Sequence, residues 1–256
     1  MIGGLLHAGE QFARCGRGSQ IDIDGDGTIE DIDALCGPNA KNGALFLAAD
    51  GLPVVDPDER VIADPNPNWT GGFNTQIRHG KWQLSGLLDI RKGFDVWNGT
   101  RGALYRFGTH RDTEIRTQVG RFGQNWYTDV YPDVAGPGAD PSVPAPFQTP
   151  ADWQLWFTTD GGSAGQAQAQ FVEDGSFVKL REISLTYTAE HRILMQRLGV
   201  SSVDIRIAGR NLKTWTDYRG LDPETNLGGA EWLTQGIDFF NNPMTRSFVL
   251  QLTFNR

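Results

Sequence analysis

The twelve residues Asp22-Ile-Asp-Gly-Asp-Gly-Thr-Ile-Glu-Asp-Ile-Asp33 concentrate the metal chemistry of this chain. Carboxylates at the first, third and fifth positions and a glycine at the sixth match a calcium loop of the EF-hand type. Asp22, Asp24 and Asp26 would offer hard oxygen ligands, Thr28 its backbone carbonyl, and Asp33 a carboxylate at the twelfth position. This pattern predicts a structural Ca²⁺, with Ile29 at the eighth position pinning the loop to a core. The competing reading is a solvated acidic turn without metal. Cys15 and Cys36 bracket the loop. Bridged, they would close roughly 20 residues, worth about 3 kcal/mol in the chain-entropy model. A pair so placed points to an oxidising compartment, against the alternative of two unrelated thiols in a reducing one.

Other chemistry is sparse. Gly161-Gly-Ser-Ala-Gly165 fits the nucleophile-elbow pattern, but that motif needs a strand before it, a helix after it and later acid and histidine partners. It lies in a Gly/Gln-rich run, and the only later histidine is His191. The four histidines show no metal-ligand spacing. The chain is therefore not expected to be an enzyme. Aromatic residues placed in long loops, Trp126, Tyr127, Trp153, Trp156, Trp215, Tyr218 and Trp232, could contact a sugar ring or a covering partner. They could equally pack the loops together. Tyr218–Glu224 reads foremost as a structural corner, since Pro223 fixes φ and Asp222 can bond nearby amides.

The elements that would position these groups are strands. Thirty-two glycines, 13 prolines and eight tryptophans in 256 residues suggest an all-β, loop-rich chain. A net charge of −8 argues against nucleic acid, which calls for a basic stripe. No run approaches the ~18 apolar residues of a membrane helix, though barrel strands carry a much weaker hydropathy signal. Period-two alternation predicts strands over 68–78, 81–95, 175–188, 202–215 and 245–255. His79-Gly80 signals the first turn, and Ile193–Leu198 a short helical link closed by Gly199. In the last strand Phe248, Leu250, Leu252 and Phe254 face one way, and Ser247, Val249, Gln251, Thr253 and Asn255 the other. Such a strand suits a soluble sandwich with its apolar side inward, or a transmembrane barrel with that side turned to lipid.

Connection lengths favour the barrel. The links at His79-Gly80 and Ala189–Val200 are short, whereas 96–170 and 215–243 are long, matching short periplasmic turns and long outer loops. Six of the prolines fall between Pro132 and Pro150, so no regular element is expected there. Trp69, Trp82, Trp97, Tyr187 and Trp215 near strand ends would form an interfacial girdle. Residues 1–66 read as a separate extracellular region holding the acidic loop and cysteine pair, and 67–256 as barrel strands. Met1–Arg14 lacks the basic region and cleavage site of a signal peptide, so the chain is expected to be part of something longer.

Three phrases in order resemble the SusC/RagA family of TonB-dependent outer-membrane transporters. They are Asp64-Pro-Asn-Pro-Asn-Trp-Thr-Gly-Gly-Phe73, the stretch Phe171–Tyr187, and Asn211-Leu-Lys-Thr-Trp-Thr-Asp-Tyr-Arg-Gly-Leu-Asp-Pro-Glu224, followed by the terminal strand. The resemblance implies an antiparallel curved sheet, the C-terminal strands of a large transmembrane β-barrel of about 22 strands. It further implies import of glycans or peptides, TonB engaged through sequence absent here, a SusD-like surface lipoprotein as lid, and outer-membrane lipid around the wall. An Asp-rich phrase just before this hairpin is frequent in that family, which suits an extracellular structural calcium. The rival is a soluble, secreted, calcium-stabilised carbohydrate-binding β-domain using the same loop and aromatics.

Overall fold

The computed structural model describes residues 8–117, 119–122, 133–140, 142, 145–162, 167–190, 192, 196–197, 199–229 and 235–255. It forms two compact units, each discontinuous in sequence.

One unit comprises Pro65–Val96, Glu173–Gly236 and Asn241–Arg256 and is built on a single sheet. Its strands are β1 (Trp69–His79), β2 (Trp82–Lys92), β3 (Phe177–Ala189), β4 (Ser202–Thr216) and β5 (Ser247–Asn255). They lie in the order β5-β4-β3-β2-β1, and every neighbouring pair is antiparallel. These are the five strands that alternation predicts, displaced by at most three residues at their ends. The first hairpin turns tightly, with His79 paired to Trp82. Gly80 sits there at φ +55°, a conformation a side chain would resist.

Register fixes two faces. Ile77, Leu84, Leu185, Ile207 and Leu250 stand in one row across all five strands. The adjacent row is Arg78, Gln83, Thr186, Arg206 and Gln251, and successive rows point to opposite sides. Between Leu180 and Glu182 the register of β3 slips against both neighbours. This bulge inserts Arg181 and shifts the phase of the strand, so apolar Leu180 and Ile183 share a face although three residues apart. Asn211, in the same region of β4, adopts φ +51°.

The other unit joins Met1–Asp64, Trp97–Val172 and Ile237–Phe240. The sequence had grouped 96–170 with the strands as loop; in the structure its described residues from Trp97 on share a compact unit with those of 8–64. This unit also holds helices, one of them starting at the edge of the proline-rich stretch expected to be irregular. After α1 (Ile32–Leu35) come α2 (Gly99–Arg106) and α3 (Pro150–Thr158). Pro150 starts α3 rather than breaking it, because an N-terminal turn needs no N–H from that residue. Thr149 accepts from Asp152 N, and the Asp152 carboxylate accepts from Thr149 N, a reciprocal cap. The helix turns Trp153, Trp156 and Phe157 into a core with Phe12, Leu45, Leu47, Tyr105, Phe122, Phe147 and Phe171. Phe147 and Trp153 stack at 4.1 Å between ring centroids.

Candidate functional site

The five-stranded sheet presents its apolar face bare. Phe73, Ile77, Leu84, Ile207, Phe248, Leu250, Leu252 and Phe254 are all exposed, and Phe248 keeps 76 % of its surface open. Val203, at 9 %, is the shielded member of this face. Among the described residues the sheet carries no second layer over these side chains, which rules against the sandwich. An apolar face of this extent on a monomeric soluble protein would be a liability. Aromatic residues mark both ends of it. Trp69 and Trp215 are half exposed where the long connections leave, while Trp82 meets Tyr187 at 4.7 Å beside the tight turn. Trp97 is not part of this girdle. Its short strand pairs Trp97 with Ile237 in the other unit, and its ring stacks on Phe239.

The opposite face is charged and hydrogen-bonded. Below the bulge, Glu182 accepts from Arg206 and from Arg210, the latter at 2.9 Å. Asp204 accepts from Thr188 at 2.7 Å and from Asn255 at 3.0 Å. A polar recess of about 270 Å³ opens here, lined by Asn74, Gln76, Gln83, Ser85, Leu87, Glu182 and Arg206. Leu87 is the apolar side chain in this lining.

Above the bulge lies a cluster that motif reading missed. Lys179, only 1 % exposed, donates to Asp222 at 3.0 Å and to Glu224 at 2.7 Å. Arg181 donates to both Asp89 and Glu224, and Arg91 reaches Glu224 at 3.2 Å. Three cations and three carboxylates thus compensate one another, as buried charges must. Burial alone would raise the Glu224 carboxyl, but the hydrogen bonds from Arg181 and Lys179 outweigh it and hold the pKa down at about 2. The sequence signal was the phase break: Val178 and Leu180 followed by Ile183 and Leu185 require an extra residue between them. Phe177 joins this cluster to an apolar one: the Lys179 ammonium stands 5.2 Å from its ring, and Tyr218 is buried with it beside Phe94 and Val96.

The acidic loop forms in the other unit. Asp22, Asp24 and Asp26 bring carboxylate oxygens within 4.8 Å of one another. Asp22 accepts from the amides of Gly25 and Gly27, and Asp26 from Thr28, which holds the Asp26 carboxyl below its ordinary range. Gly25 and Gly27 have φ +76° and +90°, so the turn depends on glycine. Asp33 stands apart from this group. Its two oxygens accept from the amides of Gly16 at 2.6 Å and Gly18 at 3.0 Å, tying the helix α1 segment to the turn that follows Cys15. Ile29 does not pin the loop, being 59 % exposed; Ile21 and fully buried Ile32 take that place beside the Cys15–Cys36 bridge. The bridge has an S–S distance of 2.03 Å and Cα atoms 5.9 Å apart.

The loop aromatics sort differently from the sequence expectation. Trp153 and Trp156 are 1 % and 3 % exposed and belong to the core, and Tyr218 is buried as well, so these three pack the fold instead of meeting a ligand. Trp215 lies in β4 on the apolar face. Trp126, Tyr127 and Trp232 lie outside the described residues, as do Ser163–Gly165 of the elbow-like motif and most of the Ile193–Leu198 link.

A bare apolar face with aromatic ends, backed by a polar and charged face, defines the sheet as wall strands of a transmembrane β-barrel. No family model matches the chain. It is 25 % identical over 223 residues to TonB-dependent receptor P3 of Formosa agariphila, covering 85 % of this chain and 19 % of that protein. It is likewise 25 % identical over 233 residues to TonB-dependent receptor P26 of the same organism, covering 88 % of this chain and 21 % of the relative. Among solved structures, a RagAB peptide transporter aligns over 97 % of this chain and 23 % of its own, with a TM-score of 0.50 and 15 % identity, a likeness of fold. The chain is similar to TonB-dependent receptors, its fold is SusC/RagA-like, and its place is the bacterial outer membrane. It spans about a fifth of the length of the curated relatives it matches.

Proposed function

We propose that this chain supplies wall strands and surface structure to a TonB-dependent importer of bulky nutrients, glycans or peptides. The two-faced sheet is the observation that carries the reading. Its apolar face suits lipid, and its Glu182, Arg206, Arg210 and Gln251 face suits a wet lumen through which polar solutes pass. The chain's part in transport is to bound the pathway and present outer structure; no residue here is assigned chemistry on the solute. TonB would act through the remainder of the parent receptor, and a SusD-like lipoprotein would cover the mouth. The Asp22, Asp24 and Asp26 cluster is proposed to hold a structural Ca²⁺, with the Cys15–Cys36 bridge fixing the base of its loop.

Single cysteines placed along β5 of the full-length receptor in outer membranes test the wall assignment. Gln251→Cys and Thr253→Cys should react with a membrane-impermeant maleimide, whereas Leu250→Cys and Leu252→Cys should be shielded by lipid. Equal labelling at all four positions would overturn it. Substrate class follows from uptake of labelled oligosaccharides against labelled oligopeptides by cells with and without the receptor.

A further inference from the structure

We propose that Lys179, Arg181, Asp222 and Glu224 form an electrostatic latch that fastens the corner after β4 to the inner face of the wall. The corner begins at Asp217, and its apolar packing up to Glu224 is slight: Tyr218 and Pro223 are buried, whereas Leu221 is 72 % exposed. What draws Asp222 and Glu224 down are two cations of β3. The bulge places Arg181 beside Lys179 on the same face, so one short stretch of strand serves both carboxylates. Arg91 and Asp89 of β2 complete the charge balance from the neighbouring strand.

Asp222 has a second task. Its Oδ2 accepts from the amide of Met244 at 3.3 Å, and Arg181 reaches the Met244 sulfur at 3.6 Å. Met244 lies just ahead of β5. The latch therefore grips the β4–β5 connection near its start and near its end, with Lys179 and Arg181 as the common partners. Removing Lys179 leaves buried Asp222 without its cation, which is far costlier than never having buried the pair, while Glu224 keeps Arg181 and Arg91. The corner then has a reason to lift away while the strand ladders, held by backbone hydrogen bonds, stay closed. This makes the latch a local device: its loss frees the connection without melting the sheet.

Hydrogen exchange on the full-length receptor in detergent tests this, comparing wild type with Lys179→Met and Glu224→Gln. With the latch broken, amides of residues 217–229 should exchange at least about tenfold faster, while those of β3 and β4 keep their protection. Glu224→Gln keeps the Lys179–Asp222 pair and should give a smaller acceleration over the same residues. Should Lys179→Met fail to yield a folded barrel, the Glu224→Gln comparison decides. Unchanged exchange at 217–229 in a folded variant would overturn the latch. So would acceleration spread equally over the strands, which would make the cluster part of global stability.

Discussion

Ile207 of β4 stands directly opposite Leu250 of β5, and both side chains are more than half exposed, at 58 % and 68 %. In water such a pair would be buried by a second layer; here lipid is the solvent that accepts it. Leu250→Arg should therefore cost about 2–4 kcal/mol of folding stability in a bilayer if this row lies near the midplane. Gln251→Arg, one residue on and facing the lumen, should cost well under 1 kcal/mol by the same measure. Denaturant titration of the parent receptor in lipid vesicles, followed by heat-modifiable gel mobility, gives both values.

The cysteine bridge should stabilise the acidic-loop region by about 3 kcal/mol, given the roughly 20 residues it closes. Cys36→Ser, or reduction of the wild type, is expected to accelerate tryptic cleavage at Arg17 and to lower the melting temperature of this unit. A bridge that contributed nothing would leave both unchanged.

Calcium titration by calorimetry on the parent receptor should show binding that Asp26→Ala abolishes. Asp33→Asn should weaken it far less, because the Asp33 oxygens are engaged by the amides of Gly16 and Gly18 instead of joining the cluster. Equal heats from wild type and Asp26→Ala would reduce the loop to a solvated turn.

Glu224 links pH to the hold on the β4–β5 connection. Its folded pKa, about 2, lies below the ordinary value of 4.5, so the folded form is favoured by ionisation. That contribution is fully present above about pH 4.5 and is lost as the pH falls toward 2. The difference in protection of residues 217–229 between wild type and Glu224→Gln should accordingly shrink over this window and stay constant from pH 6 to 8, checked by hydrogen exchange in detergent corrected for the intrinsic pH dependence of exchange. A difference that grows on acidification would contradict the sign.

Trp153 offers a test of the second core. It is 1 % exposed and stacked on Phe147, so Trp153→Ala should destabilise its unit by about 3–5 kcal/mol through lost contacts and a cavity. A residue serving only to meet a ligand would leave the melting temperature near that of wild type.

By itself the sequence determined the wall. A side-chain period of two is a local property, so the alternation of Phe248, Leu250, Leu252 and Phe254, and of Ile183, Leu185 and Tyr187, announces strands and their faces without any partner being known. Glycine at positions 25, 27 and 80 likewise marks turns that need positive φ. Tertiary structure decided what lies between the strands. Pro150 reads as a breaker until Thr149 and Asp152 cap the turn it starts, and Trp153 and Trp156 read as exposed loop aromatics until Phe12 and Phe122 arrive from distant segments to bury them. Lys179 and Asp222 are 43 residues apart, and nothing local tells either that the other will neutralise it. Burial of charge is a property of the assembled chain, because only the fold brings the compensating partner within reach and removes the water.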